Sequence, residues 1–215
     1  FQHRTATGYR SGVDQFVAGY VEALKRFAVV DDVAAGGYLD RLPPSLHECL
    51  MHVHLELIAA RPELFAERLP VLAKSALAFE AGWAGADWLS FALACRAAFP
   101  HLNQETQSLI EQEIMRRNVE IEDASGQLRE IAKSGEQWPS WTKKRVIRVL
   151  NDNGLEKWSI LETIGSNVLS AAASRELALL QRKFSGRRIT EPGSNEFYHV
   201  GSPISAERAQ RMSDR

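Results

Sequence analysis

The chain has 215 residues, 45% hydrophobic and 25% charged, with a net charge of −1. This is enough for one large or two small domains with a buried core, and it argues against wholesale disorder. The near-neutral balance excludes a global polycation, and the longest apolar runs, Ala76–Phe79 and Leu89–Cys95, fall far short of the ~20 residues of a membrane span.

The first predicted helix carries Val13, Phe16, Val17, Tyr20, Val21, Leu24 and Phe27 at i, i+3, i+4 spacing, one apolar stripe. From Asp31 to Pro44 the pattern breaks at Gly36-Gly37 and Pro43-Pro44, which predicts a loop. Ser45-Leu46-His47-Glu48 then matches the S-x-x-E capping box, with Leu46, Leu50, Val53 and Leu57 as the buried stripe behind it. This helix should stop near Ala60, because Pro62 disfavours helical geometry at Arg61 and can itself open the next helix. Pro70 should kink or split that next helix, which carries Leu64, Phe65, Leu69 and Leu72.

Further helices are predicted over 87–99, from an Asn103 cap to Arg117, over 124–133, from Ser140 to Gly154, over 155–164 with a stop at Gly165, and from Ser166 to Phe184. No period-2 run reads as a strand. The expectation is an all-α chain of roughly nine or ten helices, organised as a helical-repeat domain over 1–188. Residues 189–203 are rich in Pro, Gly and Ser and read as extended, with a short helix from Ser205 to Met212 leading into a further domain. Ala60-Arg61-Pro62-Glu63-Leu64 and Ala98-Phe99-Pro100-His101-Leu102 share the form A-x-P-x-L, their prolines 38 residues apart. A two-helix unit of about 40 residues is the period of HEAT-type α-solenoids, so stacked antiparallel pairs are expected.

Chemistry is sparse in the sequence. His47-Glu48-Cys49-Leu50-Met51-His52-Val53-His54 approaches the zinc-protease H-E-x-x-H, but Met51 occupies the place of the second ligand. His52, between Glu48 and Glu56, reads as part of a solvated ion-pair row. Cys49 and Cys95 lie in helical apolar contexts and read as reduced, buried thiols of a cytoplasmic protein. There is no P-loop, no G-x-G-x-x-G and no G-x-S-x-G, and no secretory signal. No catalytic, cofactor-binding or metal residue is assigned, and an enzyme built on His47, Cys49, His52 and His54 is the least favoured of three readings.

Charge is uneven. Residues 1–137 hold 13 basic against 19 acidic side chains, and residues 138–215 hold 13 against 8. Lys143, Lys144, Arg145 and Arg148, beside Trp138 and Trp141, form one basic cluster, and Arg182, Lys183, Arg187 and Arg188 a second. These are the candidate contacts to an acidic partner or, as an alternative, to nucleic acid. Read as structure alone, they are a solvated helix face above buried tryptophans.

A family resemblance adds to this. Leu150-Asn151-Asp152-Asn153-Gly154, Trp158-Ser159-Ile160-Leu161-Glu162-Thr163-Ile164-Gly165, Arg182-Lys183-Phe184, Gly201-Ser202-Pro203-Ile204 and Arg211-Met212-Ser213-Asp214, with Pro100-His101-Leu102, resemble the helical, HEAT-like region of large bacterial STAND-type NTPases (signal-transducing NTPases with numerous domains). Several of these are implicated in anti-phage defence. The resemblance covers residues 45–215 and consists of packing and capping residues. It implies a sensor or oligomerisation scaffold whose nucleotide site lies elsewhere in a longer parent, as the start at Phe1 also suggests. It carries no catalytic residue onto this chain. The expected function is a non-catalytic interaction scaffold that binds a protein partner or other domains of its own chain, with no membrane role.

Overall fold

A computed structural model describes residues 12–82, 87–117, 151–187 and 189. Among these every regular element is helical. Helix α1 is Gly12–Val30, α2 Asp32–Leu39, α3 Glu48–Ala60, α4 Pro62–Phe65 and α5 Leu69–Leu72. They are followed by α6 Leu89–Ala98, α7 Gln104–Arg116, α8 Leu155–Ile164 and α9 Ala171–Lys183. Short 3-10 turns occupy Ala66–Arg68, Ala76–Phe79 and Phe99–His101. The helices predicted over 124–133 and 205–212, most of the one from Ser140, and the extended stretch 189–203 apart from Ile189 lie outside the described residues.

Proline and polar caps set the boundaries as local chemistry requires. Ala60 ends α3 and Pro62 is the first residue of α4. Pro70 falls in the first turn of α5, so the predicted split occurs there. Ala98 ends α6, with Pro100 in the turn behind it, so both A-x-P-x-L motifs terminate a helix. Asn103 caps α7 by accepting Thr106 N–H at 2.8 Å. Gly165 closes α8 at φ +94°, a conformation that L side chains rarely adopt.

Four expectations are corrected. The stretch after Asp31 is helix α2, not loop. Asp31 caps it by accepting Ala34 N–H at 2.8 Å, and Gly36 and Gly37 sit inside it because packing outweighs their poor propensity. Ser45 does not cap α3. His47 does, its Nδ1 accepting Cys49 N–H at 3.1 Å, and Leu46 is left 73% exposed in the turn before it. The buried line of α1 runs through Val21, Leu24 and Ala28, while Phe16 and Phe27 face outward. Ala28 is small enough for α3 to approach, and Arg61 donates to its carbonyl at 3.0 Å. Finally, α9 begins at Ser170, which accepts Ala173 N–H at 3.2 Å, and not at Ser166.

The core is continuous. Helix α6 is its centre: Phe91, Ala92, Ala94, Cys95 and Ala98 are all fully buried, as a helix packed on several sides requires. Its alanines let α3 approach on one side and α8 on another, and α4 and α5 also touch it. Beyond α3 lie α1 and α2, and beyond α8 lies α9. The rings of Phe79 and Phe91 meet at 4.4 Å between centroids, and burying each contributes about 1.5–3 kcal/mol. No described helix is long and apolar enough to cross a membrane.

Candidate functional site

The histidine cluster does not converge. His47 is spent on capping α3, whereas His52 and His54 are buried and point to different partners. His52 Nδ1 lies 3.0 Å from the Ala81 carbonyl and 3.1 Å from Ser90 Oγ. A carbonyl only accepts, so Nδ1 carries the proton and donates. Ser90 reaches Glu56 at 3.5 Å, and Glu56 accepts Lys25 Nζ at 2.9 Å. The expected solvated row around His52 is therefore a polar chain, buried at His52 and Ser90 and half-buried at Glu56 and Lys25, that ties α1, α3 and α6 together. Ser90 is 1% exposed, so its hydroxyl is a tie between helices and has no open face for a substrate.

His54 Nε2 donates to the Leu42 carbonyl at 2.8 Å, while its Nδ1 is buried without a partner. Burial, reinforced by the Arg68 charge, lowers its pKa against the raising effects of the Leu42 bond and Asp40, and favours the neutral ring. Among the described residues no group of three His, Cys, Asp or Glu side chains is placed to hold a metal ion. Cys95 is fully buried and burial pushes its thiol pKa well up, while Cys49 is only half-buried. Neither is in a disulfide.

The first basic cluster, Lys143, Lys144, Arg145 and Arg148, lies outside the described residues, as does Arg188. The rest of the second cluster gathers at the end of α9 around Phe184. Lys183 donates to the Asn153 carbonyl at 2.5 Å and Arg187 pairs with Asp152 at 2.8 Å, both with their charge near the Phe184 ring. Arg182 is exposed beside them. Two of these three cations thus hold α9 to the turn before α8.

A recess of a different kind lies among other helices. A cleft of about 340 Å³ opens where the turn after Phe79, the start of α6, the end of α7 and the first turns of α8 meet. Arg117, the C-cap of α7, lines it. Its Nε donates to Glu156 at 2.9 Å, its second nitrogen lies 3.7 Å from Glu80, and its guanidinium sits 4.5 Å from the Phe79 ring centroid. Half-buried Trp88, Asp87 and buried Trp158 also line it. Trp158 also packs on Phe184, with ring centroids 5.5 Å apart. It is 6% exposed, and its indole N–H has no hydrogen-bond partner.

Sequence reading places Trp158 in the core, which holds, but it does not find the cleft. Glu80, Asp87, Arg117 and Glu156 are far apart along the chain with no shared spacing. Comparison with family models, with curated proteins and with solved structures finds no match for this chain.

Proposed function

We propose that this chain is a non-catalytic interaction scaffold, an α-solenoid segment that binds a protein partner or another part of its own parent chain. The observation that carries the reading is the order of packing. Contacts pass from α1 to α3, from α3 to α6, from α6 to α8 and from α8 to α9, with α2, α4, α5 and α7 packed beside this line. Such a succession is what stacked helical repeats produce, and it leaves long faces for partners. The two A-x-P-x-L motifs support it, since they end α3 and α6, the two helices with the most extensive mutual packing. The resemblance of residues 45–215 to the HEAT-like region of STAND-type NTPases favours a parent of that kind, cytoplasmic and bacterial, with this segment as sensor or oligomerisation region in defence.

The test is cross-linking of the tagged full-length protein in its source cells, followed by mass spectrometry and a scan of exposed positions. A partner or a second region of the parent should cross-link to one face, and substitutions on that face should abolish the link without unfolding the helices. If the protein cross-links to nothing and every exposed-face variant keeps the parent's activity, the scaffold reading fails.

A further inference from the structure

We infer that His54 is an acid-operated latch: the neutral ring holds the turn after α2 against α3, and the protonated ring releases that turn and the end of α2 while the α3–α6–α8 core stays folded. The latch goes beyond the scaffold reading and does not depend on it. The Leu42 carbonyl only accepts, so Nε2 carries the proton of the neutral ring, and Nδ1 is where a second proton must go. Nδ1 is buried and has no protein partner. Protonated there, a residue only 3% exposed would hold an N–H without an acceptor. Among the described residues the charges that act on the ring are Arg68, from the turn after α4, and Asp40, at the end of α2, and the other elements packed on α3 add none. Asp40 favours the charged ring, but its carboxylate is already paired with Arg68 at 2.7 Å. Burial is the largest influence and, with Arg68, outweighs Asp40 and the Leu42 bond, so the ring's pKa falls below its ordinary 6.5.

Packing decides which side gives way. Helix α3 is anchored by Met51, Val53, Leu55, Leu57 and Ile58, all buried. The connection from α2 to α3 is held far less: Arg41, Pro43, Ser45, Leu46 and His47 are exposed and Leu42 is half-buried. The amides of Asp40, Arg41, Leu42 and Leu46 bond to carbonyls of their own segment, those of Gly36, Tyr38, Leu39 and Pro43. Ties from outside come from His54 to Leu42 and from Arg68 to Gly36 and Asp40. A weakly packed surface segment of this kind opens before the core does. The ring of the opened segment has the ordinary pKa and takes its proton first as pH falls. Opening is therefore favoured below about pH 6.5 and gains up to about tenfold per pH unit down to the lowered folded value.

The experiment follows hydrogen exchange of the whole 215-residue chain by mass spectrometry at about pH 5.5 and pH 7.5, corrected for the intrinsic pH dependence of exchange. Opening over 38–46 should rise by about three- to tenfold at the lower pH, with 89–98 in α6 unchanged. In His54→Gln, which keeps a donor for Leu42 but takes up no proton, the rise should vanish. His47 lies in the same connection and accepts Cys49 N–H through Nδ1. His47→Ser caps without titrating and should keep the rise. A rise below about twofold, an equal rise over 89–98, a rise that survives in His54→Gln or one that is lost in His47→Ser would overturn the inference. If His54→Gln melts well below the unaltered chain at neutral pH, histidine ring NMR of the unaltered chain decides instead. Protonation of folded His54 with a midpoint below about pH 6.5 upholds the latch, and a midpoint at or above it overturns it.

Discussion

The carboxylate of Glu111, in the middle of α7, accepts the backbone N–H of Ser170 at 2.8 Å and also the Ser170 hydroxyl, across 59 residues of sequence. Ser170 in turn caps α9, so one buried acid fixes where a distant helix begins. Gln107, one turn before Glu111, adds a donor to the Val168 carbonyl in the same connection. Glu111→Ala leaves the Ser170 N–H without its carboxylate acceptor and should cost about 2–4 kcal/mol in urea unfolding. Hydrogen exchange should rise first over 170–174. A loss below 0.5 kcal/mol (roughly the surface-substitution range) would show that the bond is dispensable.

His54 should make stability pH-dependent. Its folded pKa lies below the ordinary 6.5, with burial the largest cause. The unfolded chain therefore takes up a proton first as pH falls. Its contribution is fully present above about pH 6.5 and is lost as pH drops from there toward the lowered folded value, at up to about 1.4 kcal/mol per pH unit. His54→Gln can still donate to Leu42 and should remove this component of the slope. An unchanged slope between about pH 5 and 6.5 would assign the pH dependence to other groups.

Three glycines should respond with opposite signs. Gly154 sits at φ +83°, and a Cβ there would lie 3.1 Å from Leu180 Cδ2. Gly154→Ala should destabilise by about 1–3 kcal/mol through strain and crowding. Gly165→Ala, at φ +94° with a Cβ 2.9 Å from Asn167 Oδ1, should behave alike. Gly37 is helical, and a Cβ on it would meet nothing within 4 Å. Gly37→Ala should therefore stabilise by about 0.5–1 kcal/mol. Thermal melts of the three variants settle the signs.

Phe91 and Leu109 test where the core lies. Phe91 is fully buried in α6 against Phe79, whereas Leu109 on α7 is 48% exposed. Phe91→Ala should cost about 3–5 kcal/mol and Leu109→Ala less than about 1 kcal/mol. Similar losses at both sites would mean that α6 is not the central helix.

The two thiols should separate kinetically. Cys95 is buried with its pKa raised by burial, and Cys49 is half-buried near the start of α3. In native protein a thiol reagent should modify Cys49 first and reach Cys95 only on unfolding. Two equally fast thiols would contradict the packing of α6.

Much of the helical outline was legible along the chain, because its determinants are local. Pro62 and Pro70 constrain their own backbone, Asn103 caps the N–H groups just after it, and Gly165 adopts a conformation open to few other residues. The errors came where distant contacts outweighed local preference. Gly36-Gly37 read as a break, yet α2 packs against α1 and remains helical through them. Ser45 has the better capping side chain, but His47 takes the position. Ser166 was four residues early, since Glu111 from another helix fixes the start at Ser170.

By itself, then, the sequence determined an all-helical habit among the described residues and many of the points where helices begin and end, since propensity, proline geometry and capping act within a few residues. Only the tertiary structure decided that His52 and His54 turn inward to separate partners, that α6 lies at the centre, and that Glu80, Asp87, Arg117 and Glu156 line one cleft with Trp88 and Trp158. Those outcomes depend on which helix faces pack together, and that is settled by burial over long sequence separations, which no local spacing encodes.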